Sequence, residues 1–337
     1  MLLNAIKTKQ LNDRRMKLLI TGINGFVAQH FLRFLTLNDK SFTILGISRS
    51  KQMIDPDSFP ELNLTIQQAD LLDKSKVGEI IKNFRPDFLL HLASVSSVGH
   101  SWLQPLESFV NNTNIFLNLV EQLRIENIPC RILSIGSSEE YGIVTTDDIP
   151  ITEKCKLNPI SPYAVARVSQ EMISEIYHKG YGMDIVMTRS FNHIGPGQKD
   201  VFVISSFAKQ LAKIYLFPDL EKKVVVGDNS IIRDFIDVRD VVKAYYLLLK
   251  NGVSGEIYNI CSGNGISIKD VLEKMRKLIG IEITIEENKK LFRKNDNPVI
   301  IGNADKIKNS LKWAPNIDID QSLTDIIDWW KIQLKTI

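Results

Sequence analysis

The chain of 337 residues has few cysteines and no long run of apolar residues. Its three cysteines, Cys130, Cys155 and Cys261, are odd in number and widely spaced, so they fit neither a disulfide framework nor a zinc site. The best apolar run, residues 244–249, is far shorter than the roughly 20 residues needed to cross a bilayer. These absences exclude a disulfide-stapled scaffold and a membrane-spanning helix.

Excess charge of one sign is also missing. Lysine and arginine number 42 against 39 acidic residues, and the formal charge of +3 is too small to indicate a nucleic-acid partner. The histidines show no metal-ligand spacing, so no metal is expected. Basic residues between Lys7 and Arg15 interrupt the apolar block that a signal peptide would need. We therefore expect a cytoplasmic protein without a membrane partner.

What the sequence does contain, from Met16 to Asn192, is an alternation of short apolar strands and amphipathic helices. Strands are predicted at residues 17–21, 42–47, 64–69, 87–92, 131–135 and 184–189, and helices at 25–36, 75–83, 106–124 and 162–178. Such βα units predict an α/β protein with a Rossmann-type doubly wound parallel sheet. Shorter, mixed elements after Asn192 predict a smaller C-terminal α/β substrate-binding lobe.

A glycine-containing turn follows the first predicted strand, in the segment TGINGFVA at residues 21–28. Glycine suits the tight turn and the close approach of backbone to a pyrophosphate at a helix N-terminus. Taken alone, the segment could also be an ordinary strand-to-helix turn. In this context we predict a dinucleotide site made by Gly22, Asn24, Gly25, Phe26 and Val27.

The second predicted strand ends in Ser48 and Arg49, with no acidic residue where an NAD site places one against the ribose hydroxyls. Hydroxyl and cationic groups suit a 2′-phosphate, so NADP(H) is preferred and NAD(H) is possible; a solvated basic turn is the alternative. The third and fourth strands add further predicted cofactor contacts at their ends: Asp70, Leu71, Leu92 and Ala93.

Four later segments carry a family resemblance: GSSEEYG at 136–142, NPISPYAVAR at 158–167, RSFNHIGPGQ at 189–198 and RDFIDVRD at 233–240. In combination they resemble the extended short-chain dehydrogenase/reductases that act on nucleotide sugars, and among them the GDP-4-keto-6-deoxy-D-mannose reductases and GDP-mannose 4,6-dehydratases. The pattern of predicted elements divides the chain into an N-terminal arm (1–15), a Rossmann domain (16–192) to which later elements return, and a second lobe (193–337), which the resemblance implies is mainly nucleotide-sugar-binding.

Three side chains fit the chemistry of exchanging hydride and proton at a sugar carbinol. A tyrosine ordinarily ionises near pH 10, and a nearby cation helps it to act near neutrality. Tyr163 fits this proton-exchange role, Arg167 lies one helical turn later, and Ser137 can hydrogen-bond the same sugar oxygen.

Arg167 departs from the family pattern Tyr-x-x-x-Lys. A guanidinium keeps the charge, and at 4 Å with an effective dielectric constant of 20 its Coulomb energy is roughly 4 kcal/mol. Activation by charge is therefore expected to survive. The alternative is that turnover is impaired and the protein mainly binds nucleotide.

The resemblance also implies roles for residues that the sequence alone would leave as ordinary polar positions. Glu139 resembles the base of the dehydratases, although reductases carry it too, and a structural carboxylate is the alternative. Asn192, Lys209, Arg233 and Arg293 correspond to nucleotide-sugar contacts, and His193 to a position beside the nicotinamide. Two predicted helices, 106–124 and 162–178, resemble those that pair subunits, so a homodimer or homotetramer is expected.

Together these features predict an NADP(H)-dependent oxidoreductase acting at C4 of a GDP-linked hexose or heptose in surface polysaccharide biosynthesis. Reduction of a 4-keto-6-deoxy sugar is the favoured direction. A 4,6-dehydratase that uses Glu139 and a non-catalytic nucleotide-binding relative are the alternatives.

Overall fold

A computed structural model describes residues 15–51, 54–292 and 297–336 of the chain. The predicted N-terminal arm, apart from Arg15, and the predicted substrate contact Arg293 lie outside the described residues. None of the described helices combines the length and apolarity that a membrane span requires.

The predicted parallel sheet is confirmed. Seven strands form it in the order β10-β6-β5-β4-β1-β2-β3, and every neighbouring pair is parallel. Its strands are β1 (Met16–Thr21), β2 (Phe42–Ser48), β3 (Asn63–Gln68), β4 (Phe88–His91), β5 (Arg131–Ser137), β6 (Ile185–Ser190) and β10 (Ile257–Ile260). The chain reverses its direction of winding between β1 and β4, where the carboxyl ends of an open α/β sheet form a ligand crevice.

Eleven helices, named in chain order, are present in the described part of the chain. They are α1 (Phe26–Asn38), α2 (Lys74–Phe84), α3 (Val98–Leu103), α4 (Pro105–Phe109), α5 (Ile115–Ile125), α6 (Pro162–Tyr181), α7 (Val203–Leu216), α8 (Val238–Asn251), α9 (Ile268–Ile279), α10 (Asp305–Leu311) and α11 (Ile319–Lys335).

Helices cover both faces of the sheet, and successive residues of each strand point to opposite faces. In β1, Leu18 and Ile20 pack into a core with α1 and α8, whereas Leu19 packs into a second core with α2 and α5. All three side chains are fully buried. This explains why the strand reads as a continuous apolar run rather than an alternating one.

The second lobe has its own core, formed mainly by α7, α9 and α11. Six strands belong to it: β7 (Asn192–Ile194), β8 (Lys223–Val226), β9 (Ile232–Asp237), β11 (Gly265–Ser267), β12 (Thr284–Glu287) and β13 (Val299–Ile300). Strand β9 pairs with β7, β11 and β13, while β12 pairs with β8. Between them, α8 packs against the first sheet and β10 joins it.

The single helix predicted at 106–124 differs from the structure, which has α4, a π-helical turn at Val110–Asn114 and then α5. Polar side chains in the turn bond to backbone. Asn111 donates to the carbonyl of Glu107 at 2.9 Å, and the Asn112 amide both accepts from and donates to the backbone of Val95. The wide turn therefore attaches this helix to the segment that follows β4.

Gly142 allows the segment before α6 to lie against the end of β5. Its φ is +59°, in the left-handed region, and a Cβ at this position would overlap the carbonyl oxygen of Asn158. The backbone N–H of Asn158 also donates to the carbonyl of Glu140 at 3.2 Å. Only glycine satisfies both the backbone angle and the close approach.

We expect Gly142→Ala to lower the free energy of unfolding by about 3 kcal/mol or more, because the strain of positive φ adds to a backbone overlap. Gly182→Ala is the matched control, since Gly182 has φ of +69° but no atom near its missing Cβ. Gly182→Ala should lower the free energy of unfolding by only about 1 kcal/mol. Equal losses in urea unfolding would show that the Asn158 contact is unimportant.

Candidate active site

The turn after β1 is crowded against the end of β4, as a cofactor-binding turn requires. Gly22 has φ of +69°, and a Cβ there would lie 2.8 Å from the backbone nitrogen of Ala93. Gly25 donates its N–H to the carbonyl of Gly22 at 2.8 Å and directly precedes α1. The amides at the start of this helix, including those of Phe26 and Val27, are therefore available to an anion.

Asn24 connects this turn to the end of β2. Its amide donates to Ser48 Oγ at 2.6 Å and to Ser50 Oγ at 3.2 Å, and its oxygen accepts from the backbone N–H of Ile54. Arg49 extends from the same strand end and donates to Asn111 Oδ1 at 3.3 Å. The predicted hydroxyl and cationic groups thus cluster beside the turn.

Thr21 and His91 connect the turn to the loop after β4. Thr21 Oγ1 accepts from the backbone N–H groups of Leu92 and Ala93 at 3.1 and 3.2 Å, and lies 2.9 Å from His91 Nδ1. Burial, reinforced by the charge of Arg167, lowers the pKa of His91 to about 3. The imidazole is therefore neutral, and its role here is structural.

Of the other predicted cofactor contacts, Leu71 is buried and its carbonyl accepts from the amide of Asn118 at 2.9 Å. Asp70 is exposed, and its carboxylate accepts from the backbone N–H of Leu72. Both follow β3 at the carboxyl edge of the sheet.

Ser137 ends β5 and caps the short 3-10 helix 138–141. Its Oγ accepts from the N–H of Glu139 at 3.2 Å, which leaves the hydroxyl hydrogen to donate elsewhere. Its own N–H donates to Glu140 Oε1 at 2.6 Å. Glu139 is only partly buried, whereas Glu140 is fully buried below Ser137.

Tyr163 is presented by the first turn of α6. Ser161 caps the helix by accepting from the N–H of Ala164, and Pro162 occupies the first helical position, where its missing N–H costs no helical hydrogen bond. Arg167 Nε donates to the phenol oxygen of Tyr163 at 3.2 Å. Both side chains are buried, with relative exposures of 6% and 4%.

Arg167 has only neutral hydrogen-bond acceptors among the described residues. Besides the phenol, Nη1 donates to the carbonyl of Ile135 at 2.9 Å and to Gln170 Oε1 at 2.7 Å, and Nη2 donates to Ser94 Oγ. Ile135 lies two residues before Ser137 on β5. The guanidinium therefore joins the helix carrying Tyr163 to the strand carrying Ser137.

A cluster of rings lies where α1 meets the second lobe. Phe26 stacks on His193 with centroids 6.2 Å apart and contacts His30 edge-on at 5.2 Å. His193 Nδ1 lies 3.2 Å from the carbonyl of Phe191, and His30 Nε2 lies 2.8 Å from that of Pro196. Burial lowers the pKa of both imidazoles, so both are neutral.

The predicted substrate contacts are placed differently from one another. Asn192 begins β7, and its side chain has no hydrogen-bond partner among the described residues. Arg233 on β9 is buried and donates to the carbonyl of Asn297 at 2.6 Å. Lys209 on α7 forms an ion pair with Asp200 at 2.6 Å.

Sequence reasoning did not single out Ser94, Asn111, Glu140 or Gln170 as parts of this site. Ser94 and Gln170 contact Arg167, Asn111 contacts Arg49, and Glu140 contacts Ser137. Only Glu140 had a usable signal, because a Ser followed three residues later by Glu is a capping-box pattern.

The parallel sheet, the glycine turn at its switch point and a serine and tyrosine at its carboxyl edge define a Rossmann-type short-chain dehydrogenase/reductase. The family model described as GDP-mannose 4,6 dehydratase matches residues 19–326. The chain belongs to this family.

Relatives support this assignment along most of the chain. GDP-6-deoxy-D-mannose reductase of Pseudomonas aeruginosa is 30% identical, with 95% of this chain and 98% of the relative covered. GDP-mannose 4,6-dehydratase of Yersinia enterocolitica is 24% identical, with 92% of each covered. The solved structure of RMD from Pseudomonas aeruginosa complexed with NADPH has a TM-score of 0.83 at 30% identity, covering 94% of this chain and 99% of that one.

The buried neutral state of His91 predicts a pH dependence of stability. Its pKa is near 6.5 in an unfolded chain and about 3 in the fold, so the unfolded state binds more protons between these pH values. The contribution of His91 to the free energy of unfolding is complete above pH 6.5. It falls by up to about 1.4 kcal/mol for each pH unit of acidification below that value.

We expect His91→Gln to reduce the slope of unfolding free energy against pH, measured by urea titration between pH 6 and pH 5, by about one proton. Phe116→Leu is the control, because Phe116 packs 5.4 Å from His91 but does not titrate. It should lower stability without changing the slope. An unchanged slope in His91→Gln would contradict a buried neutral imidazole.

Proposed function

We propose that this enzyme is an NADPH-dependent reductase that acts at C4 of a GDP-linked 4-keto-6-deoxy sugar. The observation that carries the proposal is the buried contact between Arg167 Nε and the Tyr163 phenol, on a helix tied to the strand that ends in Ser137. The relative at 30% identity and the NADPH complex support the choice of substrate and cofactor.

The crevice fits a dinucleotide. Gly22 leaves no room for a Cβ beside Ala93, and the helix that starts at Phe26 offers free amides to a pyrophosphate. Ser48 and Arg49 would bind the ribose 2′-phosphate, and Arg49 also donates to Asn111 Oδ1 at 3.3 Å. When bound, the nicotinamide supplies the hydride that reduces the C4 carbonyl.

Tyr163 donates the proton that the C4 oxygen gains as it changes from ketone to alcohol. Ser137 retains its hydroxyl hydrogen and orients the same oxygen. The positive charge of Arg167 stabilises the phenolate left behind until a proton returns from solvent. Hydride and proton together account for the two hydrogens added to the ketone.

The second lobe binds the nucleotide sugar in this proposal. Asn192 offers an amide without a hydrogen-bond partner among the described residues, and Arg233 brings a guanidinium to the same sheet, since β7 and β9 pair. Lys209 would have to leave Asp200 to reach the nucleotide. Guanine is proposed from the relatives alone.

A 4,6-dehydratase is the second candidate, because Glu139 is partly exposed and lies two residues after Ser137, whose hydroxyl accepts from its backbone N–H. In that reaction the carboxylate would remove the C5 proton of a 4-keto intermediate so that water leaves from C6. No net cofactor would be consumed, and this separates the two candidates experimentally.

We expect the purified enzyme to oxidise NADPH when given GDP-4-keto-6-deoxy-mannose, faster than NADH, and to leave GDP-mannose unchanged. Tyr163→Phe should lower kcat by about 10²-fold or more, since a general acid contributes that much. Tyr181→Phe, on the exposed end of the same helix, should retain kcat. Conversion of GDP-mannose without net cofactor consumption, followed by mass spectrometry, would instead establish the lyase.

The enzyme is further proposed to form a homodimer through α4 and α6. Exposed apolar side chains at Val165, Met172 and Ile176 share one face of α6, and Leu106 and Phe109 flank an adjacent groove of about 550 Å³. A second copy of the same face would cover both.

Sedimentation equilibrium should give twice the mass of one chain, and Leu106→Asp should shift the enzyme towards the monomer. Leu37→Asp is the control, because Leu37 is equally exposed but lies on α1. A wild-type monomer at micromolar concentration would refute the dimer.

A further inference from the structure

The electrostatic surroundings of Tyr163 leave Arg167 as the main uncompensated charge near the phenol. On β4, His91 is neutral because burial lowers its pKa to about 3. On α8, burial raises the pKa of Tyr245, which is hydrogen-bonded to Ser190 at 2.7 Å and stays neutral. Neither group supplies a charge to the phenol near neutral pH.

Two further acidic residues, Glu139 and Glu140, lie on the 3-10 helix 138–141; Glu139 is only partly buried. Burial, together with repulsion from Glu171, raises the pKa of Glu140 well above its usual range, which favours its neutral form. Glu171 is compensated by Arg189 through two hydrogen bonds of 2.7 and 2.8 Å between buried side chains. Among these groups, Arg167 is the one with a hydrogen bond to the Tyr163 phenol, so its position sets the charge nearest to that phenol.

An arginine side chain is long, and a hydrogen bond from Nε to the phenol requires its far end to be held. Gln170 lies three residues after Arg167, on the same face of α6, and accepts from Nη1 at 2.7 Å. Its amide nitrogen donates to Ser134 Oγ at 2.9 Å and to the carbonyl of Ile135 at 3.2 Å. A guanidinium can only donate and a carbonyl can only accept, so the amide has one possible orientation.

This amide is itself fixed. Gln170 is 1% exposed, and Ser134, its partner on β5, is 3% exposed. Ser174, fully buried one turn later, places its hydroxyl 3.0 Å from Ser134 Oγ and donates to the backbone carbonyl of Gln170 at 2.9 Å. A buried polar network that is satisfied in this way has little freedom to rearrange.

We propose that Gln170 is a positioning residue that holds the Arg167 guanidinium so that Nε, rather than a terminal nitrogen, faces the Tyr163 phenol. The inference rests on the proposed role of Tyr163 as proton donor. Without the Gln170 acceptor, Nη1 keeps only the carbonyl of Ile135, and the guanidinium can turn away from the phenol.

The test is a spectrophotometric pH titration of the phenol, taken as the ultraviolet difference between each protein and the same protein carrying Tyr163→Phe. It needs no substrate, so a failure of the proposed reaction would not affect it. We expect Gln170→Met, similar in volume but without an acceptor, to move the midpoint of ionisation up by about half a pH unit. Gln170→Glu adds a negative charge next to Arg167 and should move the midpoint of ionisation up by about one pH unit.

Gln210→Met is the matched control. Gln210 accepts from the backbone N–H of Val225 at 2.9 Å on the other lobe, so its loss removes comparable hydrogen bonds far from Arg167. It should lower thermal stability and leave the midpoint unchanged. If Gln170→Met does not fold, Gln170→Asn, which keeps the amide but shortens its reach, should also raise the midpoint.

A midpoint equal to that of the wild type in Gln170→Met would overturn the proposal. If only Gln170→Glu shifted the midpoint, the shift would come from the added charge and not from the position of Arg167, and the proposal would also be wrong. With substrate, Gln170→Met should lower kcat several-fold with little change in the KM for the sugar. No turnover by the wild type would refute the proposed function and leave the titration result valid.

Discussion

The site depends on one buried hydrogen bond, from Arg167 Nε to the oxygen of Tyr163. A guanidinium taken out of water loses several kcal/mol of hydration unless its N–H groups find acceptors, and here they are a phenol, a carbonyl, an amide and a hydroxyl. No carboxylate among the described residues forms an ion pair with it. The positive charge of Arg167 is therefore not neutralised by an ion pair and acts on the Tyr163 phenol.

The acidic groups around Arg167 do not form an ion pair with it. Burial raises the pKa of Glu140 well above its usual range, which favours its neutral form, and Glu171 is paired with Arg189. An ionised Glu140 would oppose ionisation of the Tyr163 phenol. The Glu140 carboxyl group also accepts from the N–H of Ser137 and so orients the end of β5.

The parallel sheet and the glycine turn after β1 could be predicted from the sequence because they depend on local signals: apolar runs, helix periodicity and glycines. The π-helical turn at 110–114 was missed because its asparagines bond to Glu107 and Val95, and the second partner is 17 residues away. Gln170 is only three residues from Arg167, but its other partners, Ser134 and Ile135, are 36 and 35 residues away. Ser94 meets Arg167 across 73 positions of sequence, and no local pattern encodes that contact.

The loop after β4 connects the glycine turn to Arg167. At its start, the N–H groups of Leu92 and Ala93 bond to Thr21, whose chain continues into Gly22. Its next residue, Ser94, accepts from Arg167. The same loop thus contacts both the turn at Gly22 and the guanidinium. Arginine, with a second terminal nitrogen, can bond Ser94 and Gln170 at once, which a single ammonium on a shorter side chain would do less well. The departure from lysine at this position is thus matched by acceptors placed for a guanidinium.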